Sequence, residues 1–371
     1  GHGPRSCGAV SAFGPVAQSH RPAPALRGAG ASHPPGGRGP LGHGSQRSCD
    51  IVPTSGGKTR CSRLVAERLL ARPGWDVWYL AHRRELVEQP AREFAHLDPA
   101  VFLAGLPTPK PKPLRIAGRD TLLRREILPI KDKCFLIIDE AHRAMGDGYM
   151  KLIARFRERY RVVYILLTSA TPYRLDGKPL GTIADTLVEP TTPRQLMDAG
   201  IIHEPLVKSV TTIDADGLPV RRGDFVSTEL EVRAKKLSGN VVSEWLRWCD
   251  GYPGVVRAVS VAHSKQLVER FIAAGLRAAH LDGETPLAER SRILARLAIG
   301  GQIAGNAEGI DVLCQVDVAS EGWNPPSDYD RALELWGDKT PPYVPICILS
   351  DARPTMSACG YRQFEGRGCR T

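Results

Sequence analysis

Apolar residues along this chain form short continuous runs that alternate with longer amphipathic stretches. The clearest runs are Val77 to Ala81, Phe135 to Ile138 and Val162 to Leu167. Such runs predict strands that are buried on both faces. The stretch Thr59 to Ala71 predicts a helix between the strands. From Cys49 to about Pro205 the pattern therefore predicts a parallel sheet with helices on both faces.

A second alternating unit predicts a second lobe of the same kind. Its expected elements are helix Asn240 to Trp248, strand Val255 to Val261, helix Lys265 to Ala274, strand Ala278 to Leu281, helix Leu287 to Leu297 and strand Asp311 to Val316. Residues 206–237 are polar and contain turn residues, so we expect them to connect the lobes. The predicted fold class is α/β with two tandem parallel-sheet lobes, at 49–205 and 238–371.

Residues 1–48 are rich in Gly, Pro, Ser, Ala and Arg and have no apolar period. Such a composition buries too little surface to fold, so we expect a disordered leader. A transit peptide is the alternative, because the segment is basic and poor in acid, but the helical amphipathic spacing is missing.

The formal net charge of +10 favours a polyanionic partner such as nucleic acid, although the leader contributes five arginines to it. No apolar run approaches the roughly 20 residues that a membrane span needs. The nine cysteines are scattered without a Cys-x-x-Cys pair. This spacing disfavours a disulfide framework or a zinc knuckle and favours a reducing, cytoplasmic setting.

A phosphate-binding turn is predicted directly before the first helix. Its residues are Pro53, Thr54, Ser55, Gly56, Gly57, Lys58 and Thr59. Backbone N–H groups freed by the two glycines can point at phosphate oxygens, helped by the helix dipole. Lys58 would reach the β- and γ-phosphates of ATP, and Thr59 would ligate Mg²⁺. The alternative is a chance Gly-Lys-Thr turn, since short motifs recur by accident.

Two carboxylates and a histidine follow the buried run Phe135 to Ile138. Asp139 is placed to hold Mg²⁺ through its water shell. Glu140 could orient and deprotonate an attacking water, and His142 could couple the nucleotide to the second lobe. The alternative is a solvated acidic loop, but such a loop would not need two carboxylates hard against a buried strand.

An arginine-rich motif stands near the end of the chain. Arg367 and Arg370 have i, i+3 spacing and would share one face of a helix, with Gln363 beside them. Guanidinium groups offered across the cleft to a γ-phosphate are arginine fingers, typically worth about 10³–10⁵ in rate. Taken alone, the motif is more typical of an arginine-rich surface helix. The motifs upstream favour arginine fingers instead.

The motifs in this order resemble those of the superfamily-two DEAD/DEAH-box helicases, over roughly residues 49–371. In the first lobe the similar stretches are Val52 to Thr59 (motif I), Tyr79 to Leu86 (motif Ia), Asp139 to His142 (motif II) and Ser169 to Lys178 (motif III and its loop). In the second lobe they are Ser260 to Ser264 (motif IV), Ala319 to Trp323 (motif V) and Gln363 to Arg370 (motif VI).

The resemblance implies RecA-like lobes with a nucleotide cleft between them, ATP and Mg²⁺ as cofactors, and ATP hydrolysis coupled to movement on nucleic acid. The stretches Thr171 to Lys178 and His280 to Thr285 look most like the bacterial RadD-like group near XPB. That similarity implies DNA, single-stranded or at a duplex junction, with RNA as the alternative. We expect the second lobe to be truncated at Thr371.

The resemblance also implies further site residues. For coupling of the lobes they are His142, Ser169, Thr171 and Glu321, with Gly322 beside the nucleotide. For nucleic-acid contacts they are His82, Arg83, Arg84, Thr121, Arg124 and Thr285. Each of these last six, taken separately, is equally a solvated surface group, and only their grouping behind motif-like strands makes them candidates.

The chain departs from the family pattern, and its altered N-terminal region and truncated end suggest the first of two rival hypotheses. The adenine-reading element is missing ahead of motif I, where only Asp50 to Val52 are left as strand material, and Asn324 stands where motif V usually has Asp. The first rival is a catalytically inactive helicase remnant that binds nucleic acid. The second is the motor piece of a restriction enzyme.

Overall fold

The computed structural model describes residues 47–54, 56–141, 146–171, 183–202, 204, 216–221, 224–248, 252–302, 304–318, 325–344, 346 and 348–353. Two parallel sheets with flanking helices make up these residues. This arrangement confirms the predicted α/β class with two parallel-sheet lobes.

The first lobe is built on a sheet of seven parallel strands within the described residues. The strands are β1 (Arg47–Ile51), β2 (Trp75–Ala81), β3 (Ala100–Phe102), β4 (Leu114–Gly118), β5 (Lys133–Asp139), β6 (Val162–Ser169) and β7 (Thr186–Val188). Their spatial order is β3-β4-β2-β5-β6-β1-β7. The phosphate turn after β1 and the acidic end of β5 therefore lie at the same edge, with the end of β6 between them.

The helices of the first lobe are α1 (Lys58–Leu70), α2 (Glu85–Glu93), α3 (Arg119–Leu123), α4 (Asp147–Arg159) and α5 (Pro193–Asp198). Helix α4 shows why these segments are helical. Leu152, Ile153 and Phe156 are buried at helical spacing, while Asp147 lies in the first turn and Arg159 in the last. These end charges complement the helix dipole.

Both faces of the first sheet are buried. In β2, Trp78 and Leu80 join one apolar cluster, while Val77 and Tyr79 join another cluster on the opposite face. Ala66 of α1 packs into the second cluster, so α1 covers the face to which Tyr79 belongs. Continuous apolar runs are what strands buried on both faces require, which explains why the sequence pattern predicted them.

The second lobe carries a parallel sheet in the order β11-β12-β10-β13. Its elements are the hairpin strands β8 (Val220–Arg221) and β9 (Asp224–Phe225), then α6 (Ser227–Trp248), β10 (Gly254–Arg257), α7 (Val261–Ala273), β11 (Ala278–Leu281), α8 (Leu287–Ala298), β12 (Val312–Gln315), α9 (Pro325–Trp336) and β13 (Ile348–Asp351). None of the helices in the described part of the chain is long and apolar enough to cross a membrane.

Three elements depart most from the sequence prediction. Strand β1 begins at Arg47, inside the predicted leader, because it pairs with β6 from Arg47 onward, and it ends at Ile51. Helix α6 begins at Ser227, inside the predicted connector. The strand predicted from Val255 to Val261 ends at Arg257, because Ser260 accepts a hydrogen bond from the backbone N–H of His263 and starts α7.

Candidate functional site

The turn between β1 and α1 has the geometry of a phosphate cradle. Gly57 has φ 84°, a left-handed conformation that favours glycine, and stands immediately before α1. The N–H of Gly56 donates to the carbonyl of Pro53 at 2.9 Å, which closes the turn. A Cβ atom at residue 56 would stand 2.8 Å from Val52 Cγ1 and 3.2 Å from Leu196 Cδ1, so only glycine fits there.

Lys58 and Thr59 are the first two residues of α1 and both are half-buried. The ammonium of Lys58 donates to the carbonyl of Val52 at 3.5 Å, which places the charge over the turn. Thr54 is also half-buried within the turn. The cradle therefore has a cation and freed backbone donors at the N-terminus of a helix, a combination suited to phosphate.

The acidic strand end is buried and tightly held. Asp139 and Glu140 are each only 4% exposed. Oδ1 of Asp139 accepts from the Thr168 hydroxyl at 2.7 Å and from the Glu140 N–H at 3.0 Å. Glu140 has φ 57°, a conformation that is unusual for a non-glycine residue. The backbone therefore turns sharply here and directs the second carboxylate differently from the first.

Tyr79 links the phosphate turn to the acidic strand end. Its side chain is buried, and its hydroxyl lies beside the side chains of Asp139 and Thr59. The pKa of Tyr79 lies well above its ordinary value, first because of burial and then because of Asp139 and Glu140, while Thr59 acts in the opposite direction. Thr59 and Asp139 thus converge on one hydroxyl. Their oxygen atoms are hard donors of the kind that Mg²⁺ prefers, so this pair fits the predicted metal.

Two predicted coupling residues lie beside the turn. Ser169 and Thr171 are buried. The carbonyl of Ser169 accepts from the N–H of Val52 at 2.9 Å, and its hydroxyl oxygen accepts from the N–H of Thr171 at 3.2 Å. A shift of the phosphate turn would therefore be felt directly at this serine. Seven predicted site residues lie outside the described residues: Ser55, His142, Glu321, Gly322, Gln363, Arg367 and Arg370.

Three of the predicted nucleic-acid residues lie at the ends of the paired strands β2 and β4. Asp120 lies close to two of them. Its pKa is lowered, first by the hydrogen bond from Arg119 and then also by the charges of Arg124 and His82. Thr121 occupies the same short helix, α3. The structure therefore brings His82, Thr121 and Arg124 together at one edge of the sheet.

Arg83 and Arg84, which follow β2, contact other parts of the protein. Arg84 donates to the carbonyl of Ala104 at 2.5 Å and to Glu88 at 3.3 Å, so it braces α2 against the loop after β3. Arg83 donates to the carbonyl of Asp317 in the second lobe at 3.5 Å. These contacts favour bracing for Arg84 and contact between the lobes for Arg83.

Thr285 is held within a turn of the second lobe. Its N–H and its hydroxyl donate to Oδ1 of Asp282 at 2.9 and 3.0 Å. The pKa of Asp282 is lowered to about 2, first by its hydrogen bond with His280 and then, against a smaller effect of burial, by that with Thr285. The described hydrogen bonds thus give Thr285 a role in shaping this turn.

Sequence reasoning missed two residues that contact the acidic strand end, Tyr79 and Thr168. Tyr79 lies in a predicted strand and in the stretch similar to motif Ia, Thr168 directly follows the run Val162 to Leu167, and neither was predicted as a site residue. The available signal was a hydroxyl in each of the two strands that flank β5. It also missed the ion pair between Arg290 of α8 and Glu85 of α2, at 2.9 Å, which joins the lobes.

Comparison with known proteins matches part of the chain to a family model and most of it to a curated relative. Residues 38–174 match the family model ResIII, described as "Type III restriction enzyme, res subunit". A 51.5 kDa protein of Lactococcus phage (isolate 7-9) is 29% identical over 261 residues, which are 70% of this chain and 52% of that protein. The chain thus spans about half the length of the curated relative that it matches.

Solved structures resemble the fold at low identity. The structure of S. cerevisiae Dbp5 bound to RNA and ADP BeF3 is 16% identical with a TM-score of 0.50, over 87% of this chain and 75% of that chain. The Pyrococcus furiosus Hef helicase domain is 15% identical with a TM-score of 0.44, over 88% and 91%. The ResIII match covers less than half of the chain, and at these identities the solved structures show a likeness of fold alone.

Proposed function

We propose that this chain is a nucleic-acid-dependent ATPase that couples ATP hydrolysis to movement on DNA. One observation carries the proposal: strand β6 contacts both motifs, because the carbonyl of Ser169 accepts from the Val52 N–H at 2.9 Å and the Thr168 hydroxyl donates to Asp139 at 2.7 Å. The turn and the acids are therefore parts of one site rather than two unrelated motifs, as a phosphoryl-transfer centre requires.

In this site the phosphates of ATP would bind the backbone donors around Gly57 and the ammonium of Lys58. Thr59 and Asp139 would hold Mg²⁺, which neutralises phosphate charge when it is bound. Glu140 is buried beside them and would take the proton of the attacking water. From the sequence motif alone, Arg367 and Arg370 would act as arginine fingers, with Gln363 beside them.

The nucleic acid would bind where β2 and β4 end. His82, Thr121 and Arg124 supply donors there, suited to phosphate and independent of base sequence. The fold neighbour Dbp5 was solved with RNA. We nevertheless propose DNA for this chain, because of its RadD-like stretches, and RNA is the matched alternative in the experiment below.

A second candidate function is the motor piece of a restriction enzyme. The ResIII description of residues 38–174 favours it. Both functions use the same ATPase chemistry and differ in whether a nuclease acts with the motor. Incubation of the protein with ATP and plasmid DNA tests the second function, because cleavage of the plasmid would require a nuclease that acts with the motor.

The decisive experiment is ATP turnover by the whole chain, measured without nucleic acid and with single-stranded DNA or RNA of the same sequence. We expect DNA to raise turnover more than RNA does. Lys58→Ala should abolish turnover, because the charge that holds the phosphates is lost. Equal turnover in that variant would show that the assignment of the phosphate turn is wrong. DNA binding by a purified protein that hydrolyses no ATP would instead establish the inactive remnant.

A further inference from the structure

The carboxylate of Asp139 lies between two strands that each offer it a hydroxyl. β5 has β2 on one side and β6 on the other. From β6, the Thr168 hydroxyl donates to Oδ1 of Asp139 at 2.7 Å. From β2, the Tyr79 hydroxyl lies beside the same carboxylate. All three side chains are less than 5% exposed.

The register of the sheet explains how the three groups meet. Tyr79 pairs with Ile137, and Ile137 pairs with Leu166, so these residues form one row across three strands. Asp139 and Thr168 pair with each other, two residues further along β5 and β6. Side chains two residues apart on a strand share a face, and Tyr79, Ile137 and Leu166 all lie in the apolar cluster beside α1. The long tyrosine side chain spans this offset of two residues.

We propose that Thr168 and Tyr79 form a hydroxyl clamp that positions the Asp139 carboxylate for Mg²⁺. The proposal rests on the function proposed above and adds two positioning residues to it. Neither residue touches the nucleotide or the reacting water in this role. Both act through Asp139.

The clamp has a physical reason. Oδ1 of Asp139 accepts two bonds, from Thr168 and from the Glu140 N–H, so rotation of the carboxylate would break both of them. Hydrogen bonds to an ionised carboxylate are about twice as strong as neutral ones. A valine would fill the volume of Thr168 equally well in this buried strand. The hydroxyl therefore contributes something that packing alone does not need.

The test measures metal affinity directly. Mn²⁺ is added as a paramagnetic substitute for Mg²⁺ to the whole protein saturated with ADP, and free Mn²⁺ is followed by electron paramagnetic resonance. Thr168→Val should weaken Mn²⁺ binding about tenfold, the lower end of what loss of an outer-shell partner costs. Tyr79→Phe should weaken it in the same direction. Thr168→Ser keeps the hydroxyl and should restore affinity to within about twofold of the unchanged protein.

A matched control lies at the opposite edge of the same sheet. There the Tyr160 hydroxyl donates to Oδ2 of Asp76 at 2.8 Å, in a buried setting. Tyr160→Phe removes the same kind of bond and should lower the melting temperature. It should leave Mn²⁺ affinity unchanged, because Asp76 lies near the start of β2, far from the phosphate turn.

The measurements distinguish failure of the clamp from failure of the proposed nucleotide site. If the unchanged protein binds Mn²⁺ with ADP and Thr168→Val binds it equally well, the clamp is wrong and the nucleotide site stands. Equal losses in Tyr160→Phe and Thr168→Val would also overturn the clamp, since the effect would then be general destabilisation. If the unchanged protein binds no Mn²⁺ with ADP, the proposed function falls and the clamp falls with it.

Discussion

Glu140 is the residue whose backbone conformation and burial agree best with its proposed chemistry. A φ of 57° costs a residue with a side chain about 1–2 kcal/mol. The conformation is held because the N–H of Glu140 donates to Asp139 at 3.0 Å. Strain of this kind persists where the surroundings fix it, and it is common at functional sites.

At this residue we predict that Glu140→Gln keeps nucleotide bound and stops hydrolysis. The amide preserves the shape of the side chain but cannot accept the proton of the attacking water, so turnover should fall by about 10²–10⁴. Binding of a fluorescent ATP analogue and steady-state turnover should be measured on the same preparation. Parallel loss of binding and turnover would give Glu140 a structural role instead.

The sequence predicted the parts of the site that are local in the chain. The phosphate turn and the pair Asp139 and Glu140 each lie within a few consecutive residues, so their spacing carries the signal. Thr168 and Asp139 are 29 positions apart, and their contact depends on the pairing of β5 with β6. Strand register is a property of the whole sheet, so a single sequence could not reveal this contact.

Among the elements, α7 contains a buried histidine that makes its packing sensitive to pH. His263 is 1% exposed, and its Nδ1 accepts from the N–H of Val259 at 3.3 Å. The pKa of His263 is lowered to about 4, first by burial. The nearby carboxylate of Glu231 in α6 raises this pKa, and the ammonium of Lys235 lowers it. The histidine is therefore neutral in the folded protein at pH 7.

From this we predict a loss of stability in mild acid. The folded pKa is about 4 and the ordinary value is 6.5. The unfolded chain therefore binds the proton first as pH falls from 6.5 to 4. Stability is fully present above pH 6.5 and decreases through this window, by up to about 3 kcal/mol at 1.36 kcal/mol per pKa unit.

Urea unfolding at pH 7 and at pH 4.5 measures this slope. His263→Asn keeps an acceptor for Val259 and removes the titrating group. The variant is expected to lose part of the pH dependence even if it is less stable at both values. An unchanged dependence would show that other groups are responsible.

Element boundaries show what the apolar pattern could and could not predict. β11 was predicted with its observed ends, Ala278 to Leu281. The start of α7 was missed, because the apolar run continues past Arg257 while Ser260 already caps the helix. The first half of α6 was missed as well. Its buried positions Leu230 and Ala234 are separated by charged residues, which resembles a polar connector when read in isolation.

Across the whole molecule, charged contacts join the two lobes. Glu85 of α2 pairs with Arg290 of α8 at 2.9 Å, and Glu88 of α2 lies 4.0 Å from Arg331 of α9. The acids belong to the first lobe and the arginines to the second. Partly exposed pairs of this kind typically contribute up to about 1 kcal/mol each, enough to bias the distance between the lobes without locking it.

We therefore predict that charge reversal separates the lobes. Arg290→Glu places two carboxylates face to face and should increase the radius of gyration in small-angle X-ray scattering. Glu85→Arg should do the same by facing two guanidinium groups. The double exchange restores an opposite pair and should return the radius of gyration towards that of the unchanged protein. Three equal values would show that this pair does not hold the lobes together in solution.

The close approach of Leu196 to residue 56 has a consequence for how a bound phosphate could be sensed. Leu196 is the buried residue of α5, whose start is fixed by the capping box of Thr192 and Gln195. This short helix therefore rests on the back of the phosphate turn, and Arg194 on its exposed side is 71% exposed. A fluorescent label in place of Arg194 would lie on the helix whose Leu196 stands close to residue 56. A change in its fluorescence on addition of nucleotide would report movement of the turn, without a label at the nucleotide site itself.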